Sequence, residues 1–324
     1  VSAVRLAILG PLSVVDDAGT EFRVSAARQR VLLAALLARP NRMVSAGELA
    51  EMVWDGAPPP GAAKTVRVYL ARLRRAVGPA VASRIVTRDP GYLCRLSDDE
   101  LDLLRFESLC RDGGESVRSR AWRPASDLLA AALDLWRGMP FSDAPSQALR
   151  DAFLPRLEQL RVQAVEWRVA ADLNLGRHEQ LVPELLALTA EHPLREHLHE
   201  HLMLALYRSG RPGDALTAYR SSRRMLADQL GIEPGAGLRR LHQQVLAGDP
   251  GLDAPLTRQP PGGGPASRLD TVDERLPVPP RLTADQISEL AFRHHVQLRE
   301  LIARTASLER AIMKLSADSP GGSW

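Results

Sequence analysis

The 324 residues suffice for two domains and a tail, and a composition of 45% apolar and 25% charged residues is that of a globular chain. No apolar run approaches a membrane span, and two cysteines, Cys94 and Cys110, lie too far apart for metal-ligand spacing, which argues against a disulfide framework or a zinc site. The net charge of +3 conceals a split: residues 1–97 carry 14 Lys and Arg against 7 Asp and Glu, giving +7 and leaving −4 for the rest.

The opening VSAVRLAILGPL is too short in its apolar stretch for a signal peptide and has no small-residue cleavage site, so it reads as a strand and a cytoplasmic placement is expected. Val4, Leu6 and Ile8 alternate with other residues. The pattern resumes at Leu12 and Val14, then at Phe22 and Val24 beyond an Asp17-Ala18-Gly19 turn, which predicts a small antiparallel sheet. An apolar helix built around Val31, Leu32, Ala35 and Leu36 ends at Pro40. Ser45-Ala46-Gly47-Glu48 has capping-box spacing, so a second helix is predicted to start there and to bury Leu49, Met52 and Val53.

Three prolines then stop the helix, and the loop Asp55-Gly56-Ala57-Pro58-Pro59-Pro60-Gly61 is expected to be stiff and protruding, either a spacer or a contact surface for a protein. Gly56, Gly61 and the following Lys64-Thr65 resemble a phosphate loop only superficially. Two alanines separate the second glycine from the lysine, a helix rather than a strand precedes, and the prolines remove amide donors.

From Gly56 to Arg88 the chain has seven basic residues and no Asp or Glu: Lys64, Arg67, Arg72, Arg74, Arg75, Arg84 and Arg88. At 100° per residue, Val66, Leu70, Leu73 and Val77 share one side of a helix, while Lys64, Val68, Arg72 and Arg75 point away. Arg67 and Arg74 flank the two faces, with stems long enough to carry charge across the boundary. Downstream, RIVTRDPGYLCRL reads as two strands around a Pro-Gly turn. Helix, helix, basic helix and hairpin is the order of a winged helix, whose third helix enters the major groove of DNA.

From about residue 98 to 247 the composition is helical. LNLGRHEQLVPEL and LYRSGRPGDALTAYR align with Gly176 opposite Gly210, a 34-residue step that also pairs Ala171 with Ala205 and Leu185 with Tyr219, the tetratricopeptide period. Trp122, Leu128, Leu129, Leu133 and Trp136 suggest an earlier, diverged pair. The histidines of EHPLREHLHEHLM do not follow the order HExxH and are expected to decorate a solvated helix. No nucleophile and base pair, acid and base pair, metal site or cofactor motif emerges, so no enzyme activity is expected.

Residues 248–282, rich in Pro and Gly, read as a flexible linker. In 283–316, apolar residues including Ile287, Leu298, Leu301, Leu308, Ile312 and Leu315 recur at steps of four and three, either as a coiled-coil seam for self-association or as an amphipathic helix folding back on the helical domain, before a short tail at 317–324.

Taken together, LAILGPLSV, RQRVLLAALLARPNRMVS, VYLARLRRAVG, RIVTRDPGYLCRL, ALDLWRG, LGRHEQLVPEL, HPLRE, LMLALYRSGR and DQLGIEPGAGLRRLH resemble the Streptomyces antibiotic regulatory protein (SARP) family. The resemblance implies an OmpR-type α+β winged helix-turn-helix domain at 1–97 followed by an all-α, tetratricopeptide-like bacterial transcriptional activator domain at 98–247. It implies a DNA-binding activator of a secondary-metabolite gene cluster that reads tandem direct repeats in promoters, in the cytoplasm at the nucleoid, as a homodimer at least on DNA. By motif position, Lys64, Thr65, Arg67, Val68, Arg72 and Arg75 are the candidates for DNA contact, with Arg88 at the wing. The loop from Asp55 to Gly61 is the candidate contact with RNA polymerase holoenzyme. The bland alternative is a tetratricopeptide adaptor for protein partners whose basic domain is a non-specific DNA anchor.

Overall fold

A computed structural model describes residues 4–16 and 18–252. Alternating burial builds the first sheet. Val4 and Leu6 point inward on β1 (Val4–Ala7), Val14 does so on β2 (Ser13–Asp16), and the strands pair antiparallel with Leu6 opposite Val14. The expected third run at Phe22 and Val24 is not a strand. A single bridge joins Val15 to Glu21, and the chain then turns into the first helix, where Arg30 Nη1 donates to the Val24 and Ser25 carbonyls at 3.0 and 2.9 Å.

The first helix, α1 (Ala27–Ala38), is buried at every position from Val31 to Ala38, as befits a central element packed on all sides. α2 (Ala46–Val53) opens on the expected capping box: Glu48 N–H donates to Ser45 Oγ at 3.1 Å and Ser45 N–H to the Glu48 carboxylate at 2.9 Å. α3 (Ala62–Ala76) begins after Gly61, which takes a left-handed φ of 79° that a side chain would resist. A helix not anticipated from the sequence follows, α4 (Gly78–Arg84), with Pro79 in its first turn and Val81 buried. The hairpin β4 (Ile85–Arg88) and β5 (Gly91–Cys94) then forms the wing. A two-residue strand, β3 (Val44–Ser45), completes a sheet of order β3-β5-β4.

After a 3-10 turn at Asp98–Glu100 come α5 (Asp102–Arg118), α6 (Trp122–Leu133), α7 (Gln147–Asn174), α8 (His178–Glu191), α9 (Glu196–Arg208), α10 (Pro212–Leu230) and α11 (Ala236–Ala247). The diverged first pair is α5 with α6. They meet closely because Gly113 lies under Leu129, where an added Cβ would stand 2.6 Å from Leu129 Cγ. The 34-residue step corresponds to α7 and α8 followed by α9 and α10. Gly176 and Gly210 end their helices at φ 82° and 72°, Ala171 and Ala205 are both fully buried, and Leu185 and Tyr219 are buried as well.

The apolar core does not stop at residue 97. One cluster of buried side chains runs from Val4 on β1 to Ala171 on α7, and a second from Val169 to Leu252 fills the later helices, so α7 links both. Polar bonds seal the same junction. Asp102, in the first turn of α5, accepts the Ile8 and Leu9 amides at 2.9 Å, the Leu9 carbonyl accepts Arg137 N–H at 2.7 Å, and Arg30 Nε donates to the Asp143 carbonyl at 2.9 Å. No helix among the described residues is long and apolar enough to cross a membrane. Residues 253–282 of the expected linker, the helix expected at 283–316 with Ile287, Leu298, Leu301, Leu308, Ile312 and Leu315, and the tail at 317–324 lie outside the described residues.

Candidate nucleic-acid interface

Helix α3 sorts its side chains as its periodicity predicts. Val66, Leu70 and Leu73, with Val77 just beyond, are wholly buried, whereas Lys64, Arg67, Val68, Arg72 and Arg75 are exposed and Thr65 is half-buried. Val68 is 49% exposed, an apolar residue left among cations. The exposed side chains recur on successive turns about 5.4 Å apart and form one continuous ridge. Arg88 is exposed at the end of β4, on the wing. Lys64, Arg67, Arg72, Arg75 and Arg88 have no hydrogen-bond or ion-pair partner for their side chains among the described residues.

Two further arginines of the basic segment are used internally. Arg74 does not deliver its charge outward: Nη2 donates to the Ile85 carbonyl at 2.8 Å and to Thr87 Oγ1 at 2.9 Å, so it ties α3 to the wing. Arg84 pairs with Glu100. Both lie where α3 or α4 faces the hairpin, and a guanidinium there satisfies backbone or carboxylate acceptors rather than solvent.

Sequence periodicity did not single out Arg28. Its guanidinium lies 5.2 Å from the Trp54 ring and 5.8 Å from the Tyr69 ring, Nη1 donates to the Tyr69 hydroxyl at 2.8 Å, and the two rings stack 6.0 Å apart. An exposed cation from α1 is thereby fixed beside α3 by Tyr69 of α3 and by Trp54, the residue that follows α2. The signal is diffuse in sequence because the three residues come from three elements.

The loop from Asp55 to Gly61 is exposed apart from the half-buried Pro58. Its first residue is already engaged: Asp55 Oδ1 accepts Ala148 N–H at 2.7 Å and lies 3.4 Å from Ser146 Oγ. Gly56 and Gly61, at φ 82° and 79°, serve the loop's turns, and α2 rather than a strand precedes it.

Burial pushes the thiols of Cys94 and Cys110 up to about 12, so neither supplies a thiolate near neutral pH. The histidine helix is not the solvated one expected. His199 is buried with Nε2 2.8 Å from the Pro193 carbonyl, and His201 keeps its Nδ1 buried, while only His197 lies in solvent, 3.2 Å from Glu200. The reason is packing: α9 is covered by α8, α10 and α11. Among the described residues no group of three or more His, Cys, Asp or Glu is placed to hold a metal.

Comparison with known proteins agrees with this geometry. Residues 21–94 match the family "Transcriptional regulatory protein, C terminal", and residues 101–246 match "Bacterial transcriptional activator domain". The chain is 43% identical over 251 residues to the regulatory protein AfsR of Streptomyces coelicolor, covering 77% of this chain and 25% of AfsR. It is 34% identical over 257 residues to the regulatory protein DnrI of Streptomyces peucetius, covering 77% of this chain and 94% of DnrI. The chain thus spans about a quarter of AfsR but matches nearly all of DnrI. Among solved structures it superposes on Mycobacterium tuberculosis EmbR in complex with a low affinity phosphopeptide, with a TM-score of 0.72 and 34% identity over 76% of this chain and 66% of EmbR. A winged helix with a cationic third helix, joined to a helical activator domain and matched along almost the whole of DnrI, is the architecture of one group of regulators, and the chain belongs to the SARP family of transcriptional regulators.

Proposed function

We propose that this chain is a sequence-specific DNA-binding activator of a secondary-metabolite, antibiotic-type gene cluster. The observation that carries the reading is the contrast within one basic segment: Arg74 and Arg84 are tied to the protein, whereas Lys64, Arg67, Arg72, Arg75 and Arg88 have no side-chain partner among the described residues. In this reading α3 lies in the major groove. Arg67, Arg72 and Arg75 offer planar forks to the O6 and N7 of guanine, Lys64 and Thr65 meet phosphate or base edges, and Val68 packs on a thymine methyl. Arg88 holds a backbone phosphate from the wing.

Protomers lie head to tail on tandem direct repeats as a homodimer on DNA, and the exposed part of the loop from Asp55 to Gly61 meets RNA polymerase holoenzyme. Because one core runs from β1 into α7, the position of α3 on the promoter also sets where the helical domain stands. A cytoplasmic, nucleoid-associated location follows from the same reading.

The test is binding at one fixed salt concentration to a duplex selected by the protein from a random-sequence pool and to a scrambled duplex of the same length. A sequence reader prefers the selected duplex by about a thousandfold or more. Equal affinity for both would instead make the basic domain a non-specific anchor for an adaptor.

A further inference from the structure

A second group of arginines lines an open cleft of about 900 Å³ bounded by β1, the wing and the turn at Asp98–Glu100. Arg5, Arg88 and Arg95 are exposed on it, and their side chains have no partner among the described residues. Arg84 pairs with Glu100, but its Nε is buried without an acceptor. The apolar lining is contributed by Val4, Leu93 and Leu96, all largely buried. Asn41, also on the cleft, has its side chain committed, since it donates to the Leu96 carbonyl and accepts Leu96 N–H, both at 2.9 Å.

Four features narrow the occupant. A cleft of several hundred Å³ is the size that takes a small molecule. Several guanidinium groups on one cleft raise a positive potential that an anion relieves, and their planar donors fit carboxylate or phosphate. Leucine side chains beside them gain nothing from a bare ion and favour an apolar body. Asp99, on the same cleft, is an acceptor for a hydroxyl or amine.

The geometry points to a binding site for a small molecule with a phosphate or carboxylate head on an apolar body, the head held by Arg5, Arg88 and Arg95 and the body laid on Leu93 and Leu96. Arg88 is shared with the proposed DNA contact. A bound ligand therefore withdraws it from the phosphate backbone and weakens DNA binding; this coupling rests on the DNA reading above, whereas the binding itself does not.

The site is tested on the full chain without DNA by calorimetric titration with 1-naphthyl phosphate, 1-naphthoate and inorganic phosphate. One equivalent of naphthyl phosphate binds, about tenfold or more tighter than inorganic phosphate, and the double variant Arg5→Ala/Arg95→Ala, both exposed positions, binds about tenfold or more weaker at an unchanged Tm. Comparison of the phosphate and carboxylate probes identifies the preferred head. No saturable binding of either naphthyl probe at millimolar concentration, or the same affinity in the double variant, overturns the site. Affinity for the selected duplex is then measured with and without naphthyl phosphate. A loss of about fivefold in the wild type and none in the double variant supports the coupling, and an unchanged wild-type affinity overturns it. A chain that binds naphthyl phosphate but no duplex would sink the DNA reading and leave the site standing.

Discussion

Asp55 Oδ1 accepts the backbone N–H of Ala148 at 2.7 Å, so a residue of the loop between α2 and α3 helps to cap the longest helix of the activator domain. Ser146 completes the cap: its Oγ accepts Leu149 N–H at 3.0 Å and donates to the Met52 carbonyl at 2.7 Å. The N-terminus of α7 thus has two of its amide donors satisfied by groups that also fasten it to α2. Removing the carboxylate in Asp55→Ala leaves Ala148 N–H without its acceptor and is expected to cost about 1–2 kcal/mol of stability. Urea denaturation reads this directly, and no change in midpoint would mean that the bond does not hold the junction. A loss of promoter activity in Asp55→Ala would accordingly mix a structural effect with a polymerase effect. Ala57→Asp, at an exposed position with no cap to break, separates them: it is expected to lower transcription in a reconstituted assay while leaving DNA affinity and Tm unchanged.

Arg72 and Arg74 are two residues apart and do different work. Arg72 is exposed without a side-chain partner among the described residues, while Arg74 bonds the Ile85 carbonyl and Thr87 Oγ1. Arg72→Ala is expected to lower affinity for the selected duplex by about 1–3 kcal/mol, with little change for a scrambled duplex and none in Tm. Arg74→Ala removes two hydrogen bonds between α3 and the wing and is expected to lower Tm, weakening both duplexes alike because the wing loses its fixed position. If both variants lost specificity equally at an unchanged Tm, the division between reading and bracing would be mistaken.

The sequence made the α3 face legible because a 3.6-residue period separates burial from exposure within a single element, and Val66, Leu70, Leu73 and Val77 have only to be counted. The 34-residue repeat was legible for the same reason: Gly176 and Gly210 mark equivalent turns in successive units. What the sequence concealed is made between elements. The clamp of Arg28 by Trp54 and Tyr69, the inward turn of Arg74 and the engagement of Asp55 with Ala148 join residues whose separation carries no period. The histidines were misread for a related reason. Only the first turns of α9, around His197, His199 and His201, are polar in composition, and the packing of neighbouring helices on α9 buries His199. The helix α4 was hidden because Gly78-Pro79 has the composition of a turn, whereas here Gly78, at φ 73°, and Pro79 both lie in the first turn of the helix.

Gly91 positions the wing. It opens β5 opposite Ser45, and an added Cβ would stand 2.2 Å from the Val44 carbonyl oxygen, inside any tolerable contact. That neighbour is backbone, held by the pairing of β3 with β5, and cannot swing aside. Gly91→Ala is therefore expected to part β3 from β5 at a cost of roughly 1–3 kcal/mol and to displace Arg88, its partner in the hairpin register. Hydrogen exchange would show faster exchange at the amides of Val44, Tyr92 and their neighbours. Protection equal to the wild type would show that the strand pair absorbs the methyl group.

Burial, reinforced by the charge of His197, lowers the pKa of His201 from the ordinary histidine value to about 4, and its Nδ1 is enclosed without a partner. The folded protein therefore resists a proton that the unfolded chain accepts near pH 6.5, so between those two values the unfolded state binds more protons and stability falls as pH is lowered. His178 and His242 are also held below the usual histidine range, in each case by burial and then by a neighbouring arginine, and they pull in the same direction. Stability is expected to be flat between about pH 7 and 8 and to decline towards pH 4, with His201 contributing on the order of 2–3 kcal/mol over the lower interval. His201→Leu keeps the site apolar and removes the titration, so its Tm should fall less steeply than that of the wild type between pH 6.5 and 4. Parallel Tm profiles for the two proteins would show that the ring takes up its proton in the folded state at an ordinary pKa.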